Sequence, residues 1–363
     1  MLRKIAIYVG YALLWVLVFG VIFIAQDRVK HHRAEQRVSD LIVDVSGGGK
    51  YPLLDAEYLR GWILQECLSP INRVVGEVNI AEIEAAAMRH AAIERANAYM
   101  TYDGELHLDV VRRQPVARLR LDGYDAYITA DGYIIPAKEC FSVPVMVVTG
   151  DYKPHFDGSY AGYAGDVVCN SIEALSREID SLEMDKFPLY EAIEDHRDTL
   201  RTILGQKLGR SLFSSKDEDS ILRAQFSRYK SEARNHYRYM ERGLNAKIAE
   251  LDIKQDGVRR RQELLRNEAL DFEALVAFLT RVDGDSYWRS EIVQIVVGED
   301  AGGRIELMLI PRSGRFTVDL GTTEELDTKL VNLSRFYRKG LSNIGWDRYE
   351  SISLRYRNQV VCQ

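Results

Sequence analysis

Seven histidines and four cysteines are the residues best suited to catalysis or metal binding, and their spacing supports neither. A zinc hydrolase needs two histidines one helical turn apart around a Glu, as in HExxH. None of His31, His32, His90, His107, His155, His196 and His236 falls into that pattern. Cys67, Cys140, Cys169 and Cys362 show no CxxC spacing, so zinc ligation by thiolates is not expected. Cys140 with Cys169 is the one pair to check for a disulfide, should the compartment be oxidising. No GxSxG elbow presents a serine nucleophile, and no Gly-rich loop would cradle a phosphate. Carboxylates are too numerous for one pair to stand out as acid and base. No catalytic residue, cofactor or metal is therefore expected, and the chemistry left to the chain is recognition.

Composition narrows the class of partner. With 28% charged and 46% hydrophobic residues the chain reads as globular. The formal net charge of −6 argues against a general nucleic-acid binder. Ile5 to Ala25 is one unbroken apolar run without a charge. At about 1.5 Å of rise per residue, such a run crosses a bilayer core of about 30 Å as a helix. A secretory signal is the bland alternative, but its apolar region spans only about 7–15 residues. Phe23-Ile24-Ala25-Gln26 also lacks the small-x-small cleavage pattern. The run therefore reads as an uncleaved anchor. Arg3 and Lys4 precede it and Arg28, Lys30, Arg33 and Arg37 follow, so counting positive charges does not orient it.

Beyond the anchor, Leu41 to Val45 reads as a strand closed by Gly47-Gly48-Gly49. Leu54 to Leu64 has helical spacing at Tyr58, Leu59, Trp62 and Ile63. A second helix is expected from Asn79, with Glu82 completing a capping-box pattern. Ala96 to Tyr102 and Glu105 to Val111 read as two strands, joined at Asp103-Gly104 by a type I′ turn with positive φ at both positions. From Asn170 to about Asn267 glycine becomes sparse and both charge signs intermix. Ile172, Leu175, Ile179 and Leu182 begin an apolar seam, which Pro188 interrupts or kinks and which resumes at Ile193, Leu200, Ile203 and Leu204. Leu222, Phe226, Tyr229, Ala233, Tyr237, Met240, Leu244, Ile248 and Leu251 continue it after a polar turn at Ser211 to Ser220. Such spacing predicts an antiparallel helical hairpin, serving as a partner-binding arm or as a self-packed insertion.

Asp271 to Leu279 reads as a separate apolar-faced helix, followed by three short strands over Ile292–Val297, Arg304–Ile310 and Arg315–Leu320. Glu324 to Leu341 is expected as a helix, acidic early and basic late, as suits its dipole. Ser351 to Val361 reads as one final strand, with Ile352, Leu354, Tyr356 and Asn358 on one face and Ser353, Arg355, Arg357 and Gln359 on the other. With no later strand to pair with it, it is expected at a sheet edge, where unpaired backbone groups can accept a strand from another chain.

Strand, helix, helix, strand, strand, just outside a single anchor, resembles a POTRA domain. Val110-Val111-Arg112-Arg113-Gln114-Pro115-Val116-Ala117 resembles the segment that closes this domain in the FtsQ/DivIB family of bacterial cell-division proteins. Tyr127 to Pro136, with its Asp131-Gly132 turn, resembles the family's next hairpin, and Val143-Pro144-Val145 to Gly150 its Leu-Pro-x-x-x-Gly stretch. Asp319-Leu320-Gly321, Lys329-Leu330 and Ile352-x-Leu354-Arg355-Tyr356 reproduce the closing pattern of the family's β domain, and the ending Tyr349 to Cys362 resembles the form found in Bacteroidota. The helical insertion is absent from the family pattern in most bacteria.

The resemblance implies an α+β protein with an N-terminal transmembrane helix, a POTRA domain (βααββ), and a mixed β domain interrupted by the helical hairpin. The chain then divides into a cytoplasmic N-terminus (1–4), anchor (5–25), linker (26–37), POTRA domain (38–113), first part of the β domain (114–150), hairpin insertion (151–270), and second part of the β domain with its edge strand (271–363). The family is not enzymatic. It implies a single-pass inner-membrane protein at the division septum, cytoplasmic at its N-terminus and periplasmic in bulk. Its partners are FtsB-like and FtsL-like proteins and other divisome components linked to septal wall synthesis, with no small-molecule substrate. Carried over by position, Arg355, Tyr356 and Asn358 are the expected partner contacts, with Val360 beside them. Arg355 would pair with a partner carboxylate and Tyr356 would be an aromatic anchor. Two other readings are an outer-membrane translocon, for which residues 271–363 hold too few strands to close a barrel, and a membrane-tethered coiled-coil adaptor that acts through the helical arm.

Overall fold

A computed structural model describes residues 15–24, 36–47, 52–67, 69–154, 156–209, 216–346, 348–357 and 359–363. Residues 15–24 form helix α1, apolar and exposed along its length. Among the described residues no helix is long and apolar enough to cross a membrane. The expected span over 5–25 lies half outside those residues, as do residues 1–4 and the linker up to 35.

The first α/β unit has the order expected of it. Strand β1 (Asp40–Ser46), helices α2 (Ala56–Glu66) and α3 (Ile80–Met88), and strands β2 (Ile93–Met100) and β3 (Glu105–Arg112) follow in turn. The sheet order is β1-β3-β2, with β1 and β3 parallel and β2 and β3 antiparallel. Alternate residues Leu41, Val43, Leu106, Leu108 and Val110 face inward against Leu59, Ile63, Ile83 and Ala87 of the helices. Burying each such large side chain stabilises the fold by about 1.5–3 kcal/mol. Asp55 starts α2 by accepting the Tyr58 N–H at 2.7 Å.

Two local expectations differ. Asn79 sits at the start of α3 but its side chain caps nothing, and the carboxylate engaged here is that of Glu84, which accepts the Ala98 N–H of β2 at 2.8 Å. The β2–β3 turn is not type I′. Gly104 has φ +84°, whereas Asp103 is not among the residues with positive φ. The Gly104 N–H bonds to the Thr101 carbonyl at 3.2 Å and the Thr101 N–H to the Glu105 carbonyl at 2.9 Å, so the loop has three residues, Tyr102 to Gly104, and ends on one left-handed glycine.

The same core continues into the next sheet. Tyr127, Ile135 and Val143 pack with the first unit's residues, and the Phe141 N–H bonds to the Leu53 carbonyl at 2.7 Å. That sheet comprises β4 (Pro115–Leu121), β5 (Tyr124–Thr129), β6 (Tyr133–Pro136), β7 (Met146–Gly150), β8 (Gly162–Tyr163), β9 (Ile292–Glu299), β10 (Ile305–Pro311), β11 (Thr317–Thr322), β12 (Ser351–Ser353) and β13 (Val361–Cys362). Its order is β13-β12-β11-β10-β9-β7-β4-β5-β6-β8. At the centre β7 runs parallel to β9, pairing Val147 with Gln294 and Gly150 with Val297. Gly150 is required there. Its φ is +131°, and a Cβ would lie 1.9 Å from the Val297 carbonyl oxygen. Helices α6 (Ser286–Glu291) and α7 (Leu326–Phe336) flank the later strands, and α7 runs on through a π-turn, Tyr337–Leu341, into the short α8 (Ser342–Ile344).

Contacts gather the chain into two compact units. One holds the elements described so far, up to Ala164 and from Glu273 onward; the other is Gly165–Phe272. The second is an antiparallel pair of helices, drawn from α4 (Ala164–Gly205) and α5 (Lys216–Gly284). Leu175, Ile179, Leu182, Lys186, Leu189, Ile193, His196, Leu200 and Ile203 form the inner seam of α4 at 3–4 spacing. Three expectations are corrected here. The helix runs through Pro188 without a break. Asp271 to Leu279 is the end of α5 and not a separate helix. Tyr229 and Met240 are exposed, and Lys230 and Glu241 take the seam positions beside them. Polar groups fix the register: Lys186 Nζ lies 2.6 Å from Asp252 and 2.6 Å from Gln255, and Gln262 Nε2 donates to Ser176 Oγ at 2.7 Å.

Candidate partner-binding edge

The expected single strand from Ser351 to Val361 is broken. β12 ends at Ser353. Leu354 still donates its N–H to the Asp319 carbonyl at 2.8 Å, and the chain then turns, with the Gln359 N–H on the Tyr356 carbonyl at 3.2 Å. It returns as β13, antiparallel to β12, pairing Ile352 with Cys362 and Ser353 with Val361. The edge of the sheet is thus β13, and β12 has a later neighbour after all.

Just past the end of β12, Arg355 is bonded across the sheet. Its Nη1 and Nη2 donate to the two carboxylate oxygens of Glu306 at 2.5 and 2.6 Å, and its Nε to Asp319 at 2.5 Å. The bonds to Glu306, then those to Asp319, hold the guanidinium even further into its charged form. Glu306 and Asp319 meet one side chain because of a bulge. Leu307 pairs with Gly321 but Met308 pairs with Asp319, so Leu320 is the extra residue. Without it, Asp319 and Thr322 would face opposite sides of the sheet. Gly321 accepts the bend at φ +66° and leaves room for the Arg355 stem, whose Cγ would lie 2.9 Å from a Cβ there.

A second ion pair ties the turn to α7. Arg357 Nη2 donates to Glu325 Oε1 at 2.7 Å, and Glu325 itself holds a left-handed φ of +53°. Lys329 Nζ donates to the Thr322 carbonyl at 2.9 Å. Burial lowers the Lys329 pKa, opposed by the charges of Glu324, Glu325 and Asp319. Between α7 and the turn lies a cleft of about 210 Å³, lined by Thr328, Lys329 and Asn332 on one side and Arg355, Tyr356 and Arg357 on the other.

The four expected contacts fare differently. Tyr356 stands at the turn with 61% of its surface exposed. Val360 is half-buried on the way back to β13. Arg355, expected to await a partner carboxylate, already bonds two carboxylates of its own chain. Asn358 lies outside the described residues. Sequence reasoning assigned no role to Glu306, Gly321 or Glu325. Of these only Gly321 left a signal, as the glycine of Asp-Leu-Gly at a strand end.

The histidines and cysteines are dispersed. His90 is buried against Tyr58 and Trp62, and His107 stacks on Tyr99 with ring centroids 5.2 Å apart. His31, His32 and His155 lie outside the described residues. All four cysteines are free thiols, so the Cys140–Cys169 bridge is not formed. Among the described residues no group of three or more His, Cys, Asp or Glu is placed to hold a metal.

Two family models match this chain. The model described as FtsQ/DivIB, C-terminal related matches residues 244–363. The model for a POTRA-like domain matches residues 38–111. The first match begins inside α5 and takes in the bulge, α7 and the terminal turn. No curated protein matches the chain significantly.

Proposed function

We propose that this chain, an FtsQ/DivIB family protein by the two family models that match it, acts in cell division as a non-enzymatic scaffold, binding FtsB-like and FtsL-like partners in the periplasm and linking them to septal wall synthesis. Residues 5–25 anchor it in the inner membrane, with the N-terminus cytoplasmic. The partner lies along the terminal turn and β13, with Tyr356 as its main contact and Asn358 and Val360 beside it. Arg355 holds the turn in place and shares its remaining exposed surface with the partner.

The observation that carries this reading is the exposure of Tyr356. At 61% exposure its ring offers a partner a large apolar body with a polar tip. It is held still by ion pairs on both sides, Arg355 with Glu306 and Asp319, and Arg357 with Glu325. A fixed aromatic loses little entropy on binding, which suits a hot spot. The absent catalytic spacing supports a scaffold over an enzyme.

The test is titration of the organism's own FtsB-like protein into the full chain and its variants. Tyr356→Ala should fold as wild type and bind about tenfold or more weakly, the loss expected for an aromatic anchor. Arg355→Glu places an acid against Glu306 and Asp319, so it should lose the turn and binding together. Wild-type affinity in a folded Tyr356→Ala protein removes this edge as the site. Loss of all partner binding on removing the helical arm, with the edge intact, would favour the adaptor reading instead.

A further inference from the structure

Helix α7 has a second face that the terminal turn does not use. Leu326, Leu330 and Leu333 point inward, and Thr328, Lys329 and Asn332 face the cleft beside the turn. The remaining face, with Asp327, Val331 and Arg335, borders a different cleft of about 360 Å³. Its other wall is the end of α5, at Arg281, and the start of α6, at Asp285 and Trp288.

We propose that this cleft docks an acidic, amphipathic segment of a partner protein. Four cations surround it: Arg281, Arg335, Arg338 and Lys339. In a chain of net charge −6 such a local excess runs against the whole. Arg281 approaches Asp327 at 3.6 Å, a well-exposed pair that contributes little. Asp285 is engaged, accepting the N–H groups of Tyr287 and Trp288. Arg338 donates only to the neutral Ser334 hydroxyl. Arg335 and Lys339 pair with no carboxylate among the described residues. Nor do these cations merely neutralise a helix end. The helical run continues beyond them to Ile344, and Asn343 already bonds the Lys339 carbonyl.

The floor between the cations is apolar. Trp288 and Leu330 are buried beneath it, and Val331 is 48% exposed. Tyr287, next in the chain to Trp288, is 47% exposed. A free anion would gain nothing from such a floor. A segment with an aliphatic or aromatic side chain flanked by carboxylates would use both, the arginines forming two-bonded contacts with the acids. This surface is separate from the turn that carries Tyr356, so the two can be tested apart.

The experiment uses the full chain in detergent and a fluorescein-labelled helical peptide with Leu on one face and Glu flanking it. The same peptide with Lys for Glu, phosphatidylglycerol vesicles and inorganic phosphate are the comparison probes. The acidic peptide should bind, with affinity that falls as salt rises and drops about tenfold or more in Arg335→Glu/Lys339→Glu. Val331→Asp and the milder Arg335→Gln/Lys339→Gln should weaken it too, which covers a failure of the double reversal to fold. Tyr356→Ala should leave this binding unchanged, whatever it does to the FtsB-like partner. Absence of acidic-peptide binding, equal binding by the Lys peptide, or indifference to every one of these substitutions overturns the proposal. So does binding of the vesicles or of phosphate alone in place of the peptide.

Discussion

Gly321 lies directly beneath the stem of Arg355, close enough that a methyl group on the glycine would stand 2.9 Å from the arginine Cγ. The glycine belongs to β11 and the arginine to the terminal turn, so the bulge in one strand decides where the chain can turn after another.

Gly321→Ala should therefore weaken the fold and the edge together. The left-handed backbone alone costs a non-glycine residue about 1–2 kcal/mol, and the clash adds to it. We expect a lower denaturation midpoint and a Tyr356 amide whose hydrogen exchange is faster than in wild type. An unchanged midpoint would mean that the bulge relaxes freely.

Lys186 sits in the seam of the helical pair at 3% exposure, bonded to Asp252, Glu183 and Gln255. The pair is only two helices thick, so these charges stay close to water and their loss is cheap. Lys186→Met should not lower the melting temperature of the hairpin. It should relax the register, because the polar layer is the part of the seam that tolerates only one alignment. Light scattering is expected to reveal self-association of the variant; a strictly wild-type mass would count against a register role.

His90 lies where the first α/β unit meets the large sheet, between Tyr58 and Trp62 and near Glu139. Burial lowers its pKa, and Glu139 opposes this only in part. In the unfolded chain the imidazole takes up a proton near pH 6.5, about its ordinary value; in the folded chain it resists. The unfolded state then binds more protons, so stability falls as pH drops through about 6.5 toward the folded value. Thermal melts should lose ground there in wild type and less so in His90→Phe. Parallel pH profiles for the two proteins would exclude His90 as the cause.

Burial also pushes the Cys140 thiol up to about 12. Its thiolate fraction at pH 8 is then only about one part in ten thousand, and the thiolate is the reactive form. Cys169 is exposed. Iodoacetamide should label Cys169 promptly and Cys140 only on unfolding, with mass spectrometry of tryptic peptides as the readout.

What could be read from the sequence was what repeats locally. Alternation at Leu106, Leu108 and Val110 and the 3–4 spacing from Leu175 to Ile203 are properties of one segment, and both elements form, the helix running on through Pro188. The terminal strand was not legible in the same way. Ser351 to Val361 alternates well, yet β12 ends at Ser353 and the chain turns beside Arg355, which bonds Glu306 49 residues away, a contact that the local pattern does not carry. Asp103-Gly104 signals a turn, but pairing on both sides selects which turn. In α5 no breaker separates Asn267 from Asp271, so the helix continues where the change in composition suggested a boundary. The seam past Phe226 passes through Lys230, whose long apolar stem lies inward while its ammonium bonds the Leu204 carbonyl at 2.7 Å; a reading by residue type prefers its neighbour Tyr229. At the edge, Tyr356 stands exposed at the turn, whereas the carboxylates that hold Arg355 come from strands whose own patterns say nothing of it.

The parallel junction of β7 and β9 has a bearing on the timing of assembly. Thr149 and Gln294 bond across it at 2.6 Å, although 145 residues separate them in the chain. As the ribosome works from the N-terminus, β4 to β7 emerge early and wait through the synthesis of the whole helical pair before β9 arrives. During that interval β7 offers an open flank of unpaired backbone groups, from Val147 to Gly150, which β9 later pairs. Contacts so distant in sequence form late and slowly. A nascent chain stalled before Ile292 is thus the species most prone to stick to its neighbours, and the one a chaperone has most reason to hold.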